Sequence, residues 1–324
     1  MKIKKSAWGL LLVAVILSLG VSSRAEAAAF LTGDIFASVS AGNVKHYRAD
    51  GTFLETLNIG AGGFTTGMAF DAAGNLYVTG FSVGTVAKFD TNGGLVGNFA
   101  SGLAVPESIV FDNAGNAYVG TLSGGIVKFD SAGNFLSNAF TDRVDWLDLA
   151  ADQTTMLYTH EDSHIHTVNA NTGVPGADFA GGLSHAYALR ILSDGGVLVA
   201  DTINVKRFDA AGNLIQTYDI GGEDSWFALN LNPDGTSFWS GNFGSSNLYE
   251  FDIASGANTQ FLNTGTGSGT FFGVGIAGER TQGCQTCGGG ETVVPEPSSM
   301  LLFGLGGVGA YFRGRASRRK SRIA

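Results

Sequence analysis

The segment from residue 160 to residue 166 holds the densest group of residues that could do chemistry. It reads His160-Glu161-Asp162-Ser163-His164-Ile165-His166 and contains three of the five histidines. Residues two apart point to the same face of a β-strand, so His164 and His166 would lie side by side. Imidazoles that close can hold a transition metal. The alternative interpretation is a solvated hairpin tip.

Further polar residues fall in the long, varied segments that separate the predicted strands. The candidates for a ligand-binding face are Glu107, Asp145, His160, His164, His185, Asp201, Glu223, Asp224 and Trp226. The chain has no Gly-x-Ser-x-Gly elbow and no Cys/His nucleophile arrangement. It also lacks phosphate-loop and dinucleotide-binding signatures. We therefore assign no catalytic residue and expect a binding surface.

The only cysteines, Cys284 and Cys287, lie in a Gly-rich segment over residues 279–294. In an oxidising compartment an isolated pair should form a small local disulfide. Free or intermolecular thiols and a metal or redox role are the alternatives. Two thiolates alone cannot complete a structural zinc site. We predict a disulfide within a linker.

The segments that must position these residues recur with a constant period. Gly74-Asn75-Leu76-Tyr77-Val78 and Gly115-Asn116-Ala117-Tyr118-Val119 each lead to a run that ends in Phe-Asp. The equivalent acid or amide falls at Asp50, Asp90, Asp130, Asn169, Asp209 and Asp252, with successive differences of 40, 40, 39, 40 and 43. This period is typical of a four-stranded propeller blade and is too long for a leucine-rich repeat.

Each repeat unit has the composition of β-strands joined by tight turns. Short runs rich in Val, Phe, Tyr and Leu alternate with Gly, Asn and Asp clusters such as Asp71-Ala72-Ala73-Gly74-Asn75. The first unit lacks its first strand, while residues 271–277 look like a first strand with nothing after it. We predict an all-β, six-bladed β-propeller of four-stranded blades with a three-plus-one closure.

The repeats resemble the NHL family over about residues 30–278, most closely at residues 106–112 and 199–209. Because the strands of a blade alternate in direction, the variable loops of such a propeller gather on one face, where a ligand binds most readily. Such propellers include binding scaffolds as well as lactonases and streptogramin-lyase-like enzymes.

Glu107 begins a strand in the way that the metal-binding glutamate of gluconolactonase-like propellers does. The matching positions of the other blades are Thr66, Leu147, Leu189 and Leu229, which are not the Asn and Asp ligands of that family. We therefore expect no cofactor, with calcium as the one candidate. A calcium-dependent hydrolase or lyase is the alternative function.

Both chain ends indicate export. Lys2, Lys4 and Lys5 precede an apolar run over residues 8–19 and a small-x-small pattern at residues 25–27, which predicts a helical signal peptide over residues 1–27. At the other end, Pro295-Glu296-Pro297 precedes a short apolar stretch over residues 300–312 and an Arg-rich tail. That stretch predicts a short transmembrane helix with a cytoplasmic tail.

This C-terminal pattern resembles the PEP-CTERM sorting signal of Gram-negative bacteria and covers residues 295–324. The resemblance implies an exosortase-type processing enzyme as partner, in species that make extracellular polysaccharide. It also implies a transient inner-membrane anchor through the C-terminal helix, followed by location at the cell surface or outside the cell.

Charge separates the ends from the body. Ten of the 19 basic residues and one of the 28 acidic residues lie outside residues 28–297, which leaves that body a net charge of −18. Nucleic acid is excluded as a partner, because it needs a basic footprint. We expect a propeller over residues 28–278 that acts as a binding or structural module, with extracellular polysaccharide or a surface protein as partner.

Overall fold

The computed structural model describes residues 28–289 of the chain. The predicted signal helix and C-terminal helix lie outside the described residues. Within residues 28–289, no helix is long and apolar enough to cross a membrane. The described strands are β1 Ile35–Val39, β2 Asn43–Tyr47, β3 Phe53–Asn58, β4 Thr65–Phe70, β5 Leu76–Gly80, β6 Thr85–Phe89, β7 Leu95–Ser101, β8 Pro106–Phe111, β9 Ala117–Thr121, β10 Gly125–Phe129, β11 Phe135–Phe140, β12 Trp146–Leu149, β13 Thr155–Thr159, β14 His164–Asn169, β15 Ala180–Gly181, β16 Ala186–Ile191, β17 Val197–Asp201, β18 Asn204–Phe208, β19 Leu214–Tyr218, β20 Trp226–Leu231, β21 Ser237–Asn242, β22 Asn247–Asp252, β23 Asn258–Asn263 and β24 Phe271–Ile276.

These strands form six antiparallel sheets of four strands each. Blades 1 to 5 are β4–β7, β8–β11, β12–β15, β16–β19 and β20–β23, and blade 6 has the order β24-β1-β2-β3. The first strand of each blade contacts the first strands of both neighbouring blades, from β4 round to β24 and back to β4. The predicted all-β, six-bladed propeller with four-stranded blades is confirmed.

The first strands approach one another closely around the central channel. A Cβ atom on Gly273 of β24 would lie 2.1 Å from the carbonyl oxygen of Thr66 in β4. A Cβ atom on Gly67 of β4 would lie 2.4 Å from the carbonyl oxygen of Glu107 in β8. Real side chains cannot occupy that space, so glycine permits this backbone contact between blades.

The hydrophobic core lies between neighbouring sheets. The inner strands β1 and β8 are buried along their whole length, whereas the outermost strands β3, β7 and β11 are largely exposed. Trp226, Trp239 and Phe271 belong to one buried cluster that joins blades 5 and 6. The burial of such aromatic side chains contributes roughly 1.5–3 kcal/mol each.

The Asp-x-x-Gly-Asn turns all lie on one face of the ring, the turn face, and their own aspartates hold them. One carboxylate oxygen of Asp71 accepts the backbone N–H groups of Ala73 and Asn75 at 2.9 Å each. A hydrogen bond from Asn134 in the equivalent turn lowers the pKa of Asp130. These carboxylates are satisfied within their turns.

Residues 279–289, the first part of the segment predicted as a linker, lie across the turn face. The N–H of Gly288 donates to the Asp71 carbonyl at 3.2 Å, and the Gln153 side chain donates to the Gly283 carbonyl at 3.0 Å. Cys284 and Cys287 are joined by a disulfide and are buried against the core of blades 1 and 2. This segment covers the turn-face end of the channel.

Glu279 begins this segment and forms a buried ion pair with Arg190. The Arg190 Nε donates to the Glu279 carboxylate at 2.9 Å, and both side chains are about 95% buried, with exposures of 4% and 5%. The Leu231 N–H and the Asn230 amide donate to the same carboxylate at 2.7 Å and 2.6 Å. Asp148 lies beside this pair, and burial raises its pKa to about 6.

Candidate functional site

The opposite face of the ring, the loop face, carries loops that vary in length from two to seven residues, and, contrary to the sequence-based prediction, they are not longer than the turn-face connections. These are residues 40–42, 59–64, 81–84, 102–105, 122–124, 141–145, 160–163, 182–185, 202–203, 219–225, 243–246 and 264–270.

Five of the six first strands carry a register irregularity where they begin at the loop face, and β12 does not. In β8, Pro106 pairs with Thr121 and Ser108 pairs with Gly120, so Glu107 is an extra residue between them. Register shifts at the same place occur in β4, β16, β20 and β24. A bulge re-aims a side chain, and bulges are common beside functional sites. These irregularities lie at the loop-face end of the central channel, which we term the channel mouth.

Five aromatic side chains surround part of this mouth. The ring centroid of Phe227 lies 5.0 Å from that of Tyr187 and 6.0 Å from that of Phe243. The ring centroid of Phe272 lies 5.7 Å from that of Phe243 and 4.6 Å from that of Phe64. Phe64 and Phe243 are 43% and 38% exposed. We term these five rings the aromatic crescent.

Glu107 is the buried acid of the channel mouth. Its side chain is only 4% exposed, and within residues 28–289 its carboxyl has no hydrogen-bond partner. Burial, reinforced by the charges of Asp145 and Glu161, raises the pKa of Glu107 well above its ordinary value. A buried, perturbed acid beside exposed aromatic rings is a candidate for ligand contact.

Asp145 differs from Glu107 because it is fully paired. Arg143 donates to both of its carboxylate oxygens at 2.7 Å. Burial raises the pKa of Asp145, although these bonds oppose the shift. The same guanidinium lies 2.8 Å from Glu161 in the loop between β13 and β14. Arg143 thus connects the channel mouth to the histidine-rich loop.

The histidine-rich loop brings three imidazoles around one carboxylate. The Nε2 atoms of His166 and His160 lie 3.1 Å and 3.7 Å from Asp162 Oδ2. His164 Nδ1 lies 3.8 Å from the same oxygen. The rings of His160 and His166 are stacked, with centroids 4.4 Å apart. His160 and His164, two of the three histidines predicted as site residues, therefore lie together with His166 on the loop face, whereas His185 is not part of this group.

Asp201 is buried and holds a loop rather than a ligand. It accepts the backbone N–H groups of Ser184 and His185 at 2.9 Å and 2.8 Å and also pairs with Lys206. The side chain of His185 is exposed on the loop face.

Three predicted site residues cluster near the start of β20 but differ in accessibility. Glu223 accepts the Ser245 hydroxyl and the Tyr249 hydroxyl at 2.6 Å and 2.7 Å, which uses both of its oxygens. Asp224 is exposed. Trp226 has no accessible surface because its ring packs into the core of blades 5 and 6. Trp226 is therefore not available to a ligand.

The aromatic crescent escaped the sequence-based prediction, although a signal for it exists. Tyr187, Phe227 and Phe272 follow the repeat period at the starts of the first strands. The prediction considered polar residues in the loops and overlooked this aromatic series. Leu189 and Leu229, which the sequence had matched with Glu107, are fully buried. Because of the bulges, Tyr187 and Phe227 lie at the channel mouth instead.

We expect Glu107→Gln to change how stability depends on pH. A carboxyl whose pKa is raised in the folded state contributes stability that is present below its unfolded pKa of about 4.3 and is lost as pH rises through the folded pKa. Glutamine keeps the size of the side chain and removes this loss. The variant should therefore gain stability relative to the wild type between pH 5 and pH 8, by more than the roughly 0.5 kcal/mol of ordinary surface substitutions.

Urea unfolding at constant ionic strength, at pH 5, 6, 7 and 8, measures this change. Asp148 should contribute equally to the pH dependence of the free energy of unfolding in both proteins, because burial raises its pKa as well. Parallel pH profiles for the variant and the wild type would contradict the assignment of Glu107.

Comparison with known families bears on the C-terminus. Residues 293–319 match the PEP-CTERM protein-sorting motif. The chain carries this motif. It implies an exosortase-type processing enzyme as partner, and it implies export and membrane anchoring before processing. A second match, to the family described as strictosidine synthase-like, N-terminal, covers residues 100–129, a stretch shorter than one blade that includes Glu107.

Comparison with solved structures supports the fold. The structure titled "Crystal structure of Nidogen/Laminin Complex" aligns with a TM-score of 0.61 and 14% identity, over 74% of this chain and 97% of that chain. In all, 1550 solved chains match, so the architecture alone does not select a function. A search of curated protein sequences found no match.

Proposed function

We propose that the protein is an exported binding module that holds a polysaccharide at the aromatic crescent. The observation that carries the proposal is that exposed aromatic rings and a buried carboxyl without a hydrogen-bond partner occur at the same channel mouth, where the charge of Glu107 also acts on Tyr187. Aromatic rings provide flat apolar surfaces on which the C–H faces of sugar rings can pack. Glu107 offers a hydrogen-bonding group whose partner the ligand would supply.

The charge of the protein indicates which polysaccharides it can bind. The body of the protein is strongly acidic, and its basic residues on the loop face are engaged, as Arg143 is with Asp145 and Glu161. An acidic polymer would be repelled by this field. We infer that the ligand is neutral or bears amino groups, because an ammonium is attracted both to carboxylates and to aromatic faces.

We expect Phe243→Ala to weaken polysaccharide binding at least tenfold, which corresponds to about 1.4 kcal/mol. Phe243 is at the centre of the crescent, between Phe227 and Phe272, and central aromatic residues carry most binding energy in such surfaces. Isothermal titration with chitosan oligosaccharides, dextran oligosaccharides and alginate oligosaccharides measures the effect.

Phe135→Ala is the matched control, since Phe135 is 59% exposed on the outer strand β11 and far from the loop face. It should bind like the wild type. Binding of alginate alone, or equal losses in both variants, would contradict the proposal.

A propeller hydrolase or lyase is the second candidate, favoured by the raised pKa of Glu107. Burial that raises the pKa of a carboxyl favours its protonated form, which is the form that acts as a general acid. Shortening of the oligosaccharides by the wild type and not by Glu107→Gln would favour this candidate over a binding module.

We also propose that the two chain ends direct location independently of the propeller, through removal of the signal peptide and processing of the tail. A reporter that is exported by its own signal and fused to residues 291–324 should be shortened only in hosts with an exosortase. The matched control replaces Pro295, Glu296 and Pro297 with alanine. Equal processing of both reporters would contradict this role of the motif.

Blade 6 is proposed to close the ring by a three-plus-one arrangement. Antiparallel pairing of Ala37 with Val274 and of Ile35 with Ile276 supports this proposal. Closure would satisfy the strand edges that a six-bladed ring otherwise leaves open.

A further inference from the structure

The side chains of His160, Asp162 and His166 converge at the histidine-rich loop. One ligand atom from each lies within 4.8 Å of the other two. Their side chains are 32%, 36% and 16% exposed, so the group is open to solvent on the loop face. Glu161 has a φ of 63°, and the resulting turn lets His160 and Asp162 face the same point.

The hydrogen bonds of His166 place its Nε2 atom against a carboxylate. Its Nδ1 lies 2.7 Å from Asp178 Oδ1, and because a carboxylate only accepts, Nδ1 must carry a proton. In a neutral imidazole this leaves a lone pair on Nε2. That Nε2 lies 3.1 Å from Asp162 Oδ2, which is another acceptor. Two acceptors face each other unless a positive charge lies between them.

A second proton on His166 or a bound metal ion could supply that charge. His160 favours the metal, because its Nε2 also approaches Asp162, at 3.7 Å, and its ring stacks on that of His166. Asp178 stands in the position of the carboxylate that commonly orients a metal-binding histidine from behind. The histidines and the two aspartates thus have the arrangement of a metal site with its supporting group.

We propose that His160, Asp162 and His166 bind one divalent transition-metal ion, with Zn²⁺ as the ion of best fit. Two imidazoles and one carboxylate suit Zn²⁺, Cu²⁺ or Ni²⁺ and not Ca²⁺ or Mg²⁺, which take oxygen ligands. Ligand atoms around Zn²⁺ lie about 3.4 Å apart at bond lengths near 2.1 Å, so the most widely separated pair, within 4.8 Å, must close by up to about 1.4 Å. The fourth position stays open to an external ligand.

Zinc titration of the full-length protein, purified without a histidine tag and freed of metal with a chelator, tests this site. We expect saturable binding of one Zn²⁺ per chain. His160→Ala and His166→Ala should each weaken binding at least tenfold, and Asp178→Asn should weaken it between tenfold and a hundredfold through loss of orientation. His185→Ala, an exposed histidine on the same face, should bind like the wild type.

The metal-free variants are compared by thermal melting, so that loss of binding is not confused with loss of folding. Asp178→Asn serves as the second variant, because its position outside the ligand set leaves the three ligands in place. No saturable Zn²⁺ binding by the wild type would overturn the proposal. Equal binding by the wild type and His166→Ala, or tighter binding of Ca²⁺ than of Zn²⁺, would also overturn it.

Discussion

Deletion of residues 268–278 is expected to abolish the cooperative unfolding transition of the propeller. The deletion removes β24, whose side chains Phe271, Val274 and Ile276 are at most 1% exposed. It leaves β1 and the first strands of blades 1 and 5 without their neighbour, since β24 contacts all three. The exposed edges and apolar surface should favour aggregation. Thermal melting followed by circular dichroism and light scattering measures the change.

A point substitution in β24 gives a milder test of the same prediction. Phe271→Ala should lower the free energy of unfolding by about 3–5 kcal/mol, as expected for a fully buried phenylalanine. Phe261→Ala is the matched control, because Phe261 is 57% exposed on the neighbouring outer strand β23. Urea unfolding of both variants gives the comparison. Wild-type-like melting of the deletion, or equal effects of the two substitutions, would contradict closure through β24.

The second large effect is expected from Glu279→Ala. This change leaves the Arg190 guanidinium, 4% exposed, without the carboxylate that neutralises it. Removing one partner of a buried ion pair costs about 3–5 kcal/mol, because the other charge remains buried and uncompensated. The Leu231 N–H and the Asn230 amide would lose their acceptor as well. Urea unfolding at pH 7 measures the loss.

Asp194→Ala is the control for this ion pair. Asp194 pairs with Arg207 at 2.9 Å, but its side chain is 54% exposed. Exposed pairs contribute about 0–1 kcal/mol, so the control should unfold close to the wild type. If Glu279→Ala behaved like the control, residues 279–289 would be a linker, as their glycine content suggested, rather than part of the folded domain.

The architecture was predictable because the repeat fixes it locally. Each Asp-x-x-Gly-Asn turn forms its hydrogen bonds within five residues, so the pattern is visible in one short stretch of sequence. The same holds for alternating apolar residues in the inner strands. The fixed period near 40 residues then set the number of blades. The packing of residues 279–289 was not predictable, because it depends on Glu279 meeting Arg190 from a distant blade.

The candidate site was predictable only in part. The loop face and the histidine group were visible, because loops and strands alternate regularly along the repeat. The bulges were not, since an extra residue in five of the six first strands leaves no mark in the composition. For this reason Leu189 and Leu229 were matched with Glu107, whereas the structure places Tyr187 and Phe227 at the irregular positions of β16 and β20. Trp226 was predicted to lie on the ligand-binding face, but it is fully buried. Trp226 begins β20 one residue before Phe227, and adjacent residues in a strand face opposite sides.

Hydrogen–deuterium exchange of the full-length protein with and without chitosan oligosaccharides tests the central claim most directly. The account predicts slower amide exchange in residues 59–64, 219–225 and 243–246, which carry or adjoin the aromatic crescent. Exchange in the turns at residues 130–134 and 209–213, on the opposite face, should stay unchanged. Protection confined to the turn face, or no protection of the loop face at saturating oligosaccharide, would contradict a polysaccharide-binding site at the channel mouth.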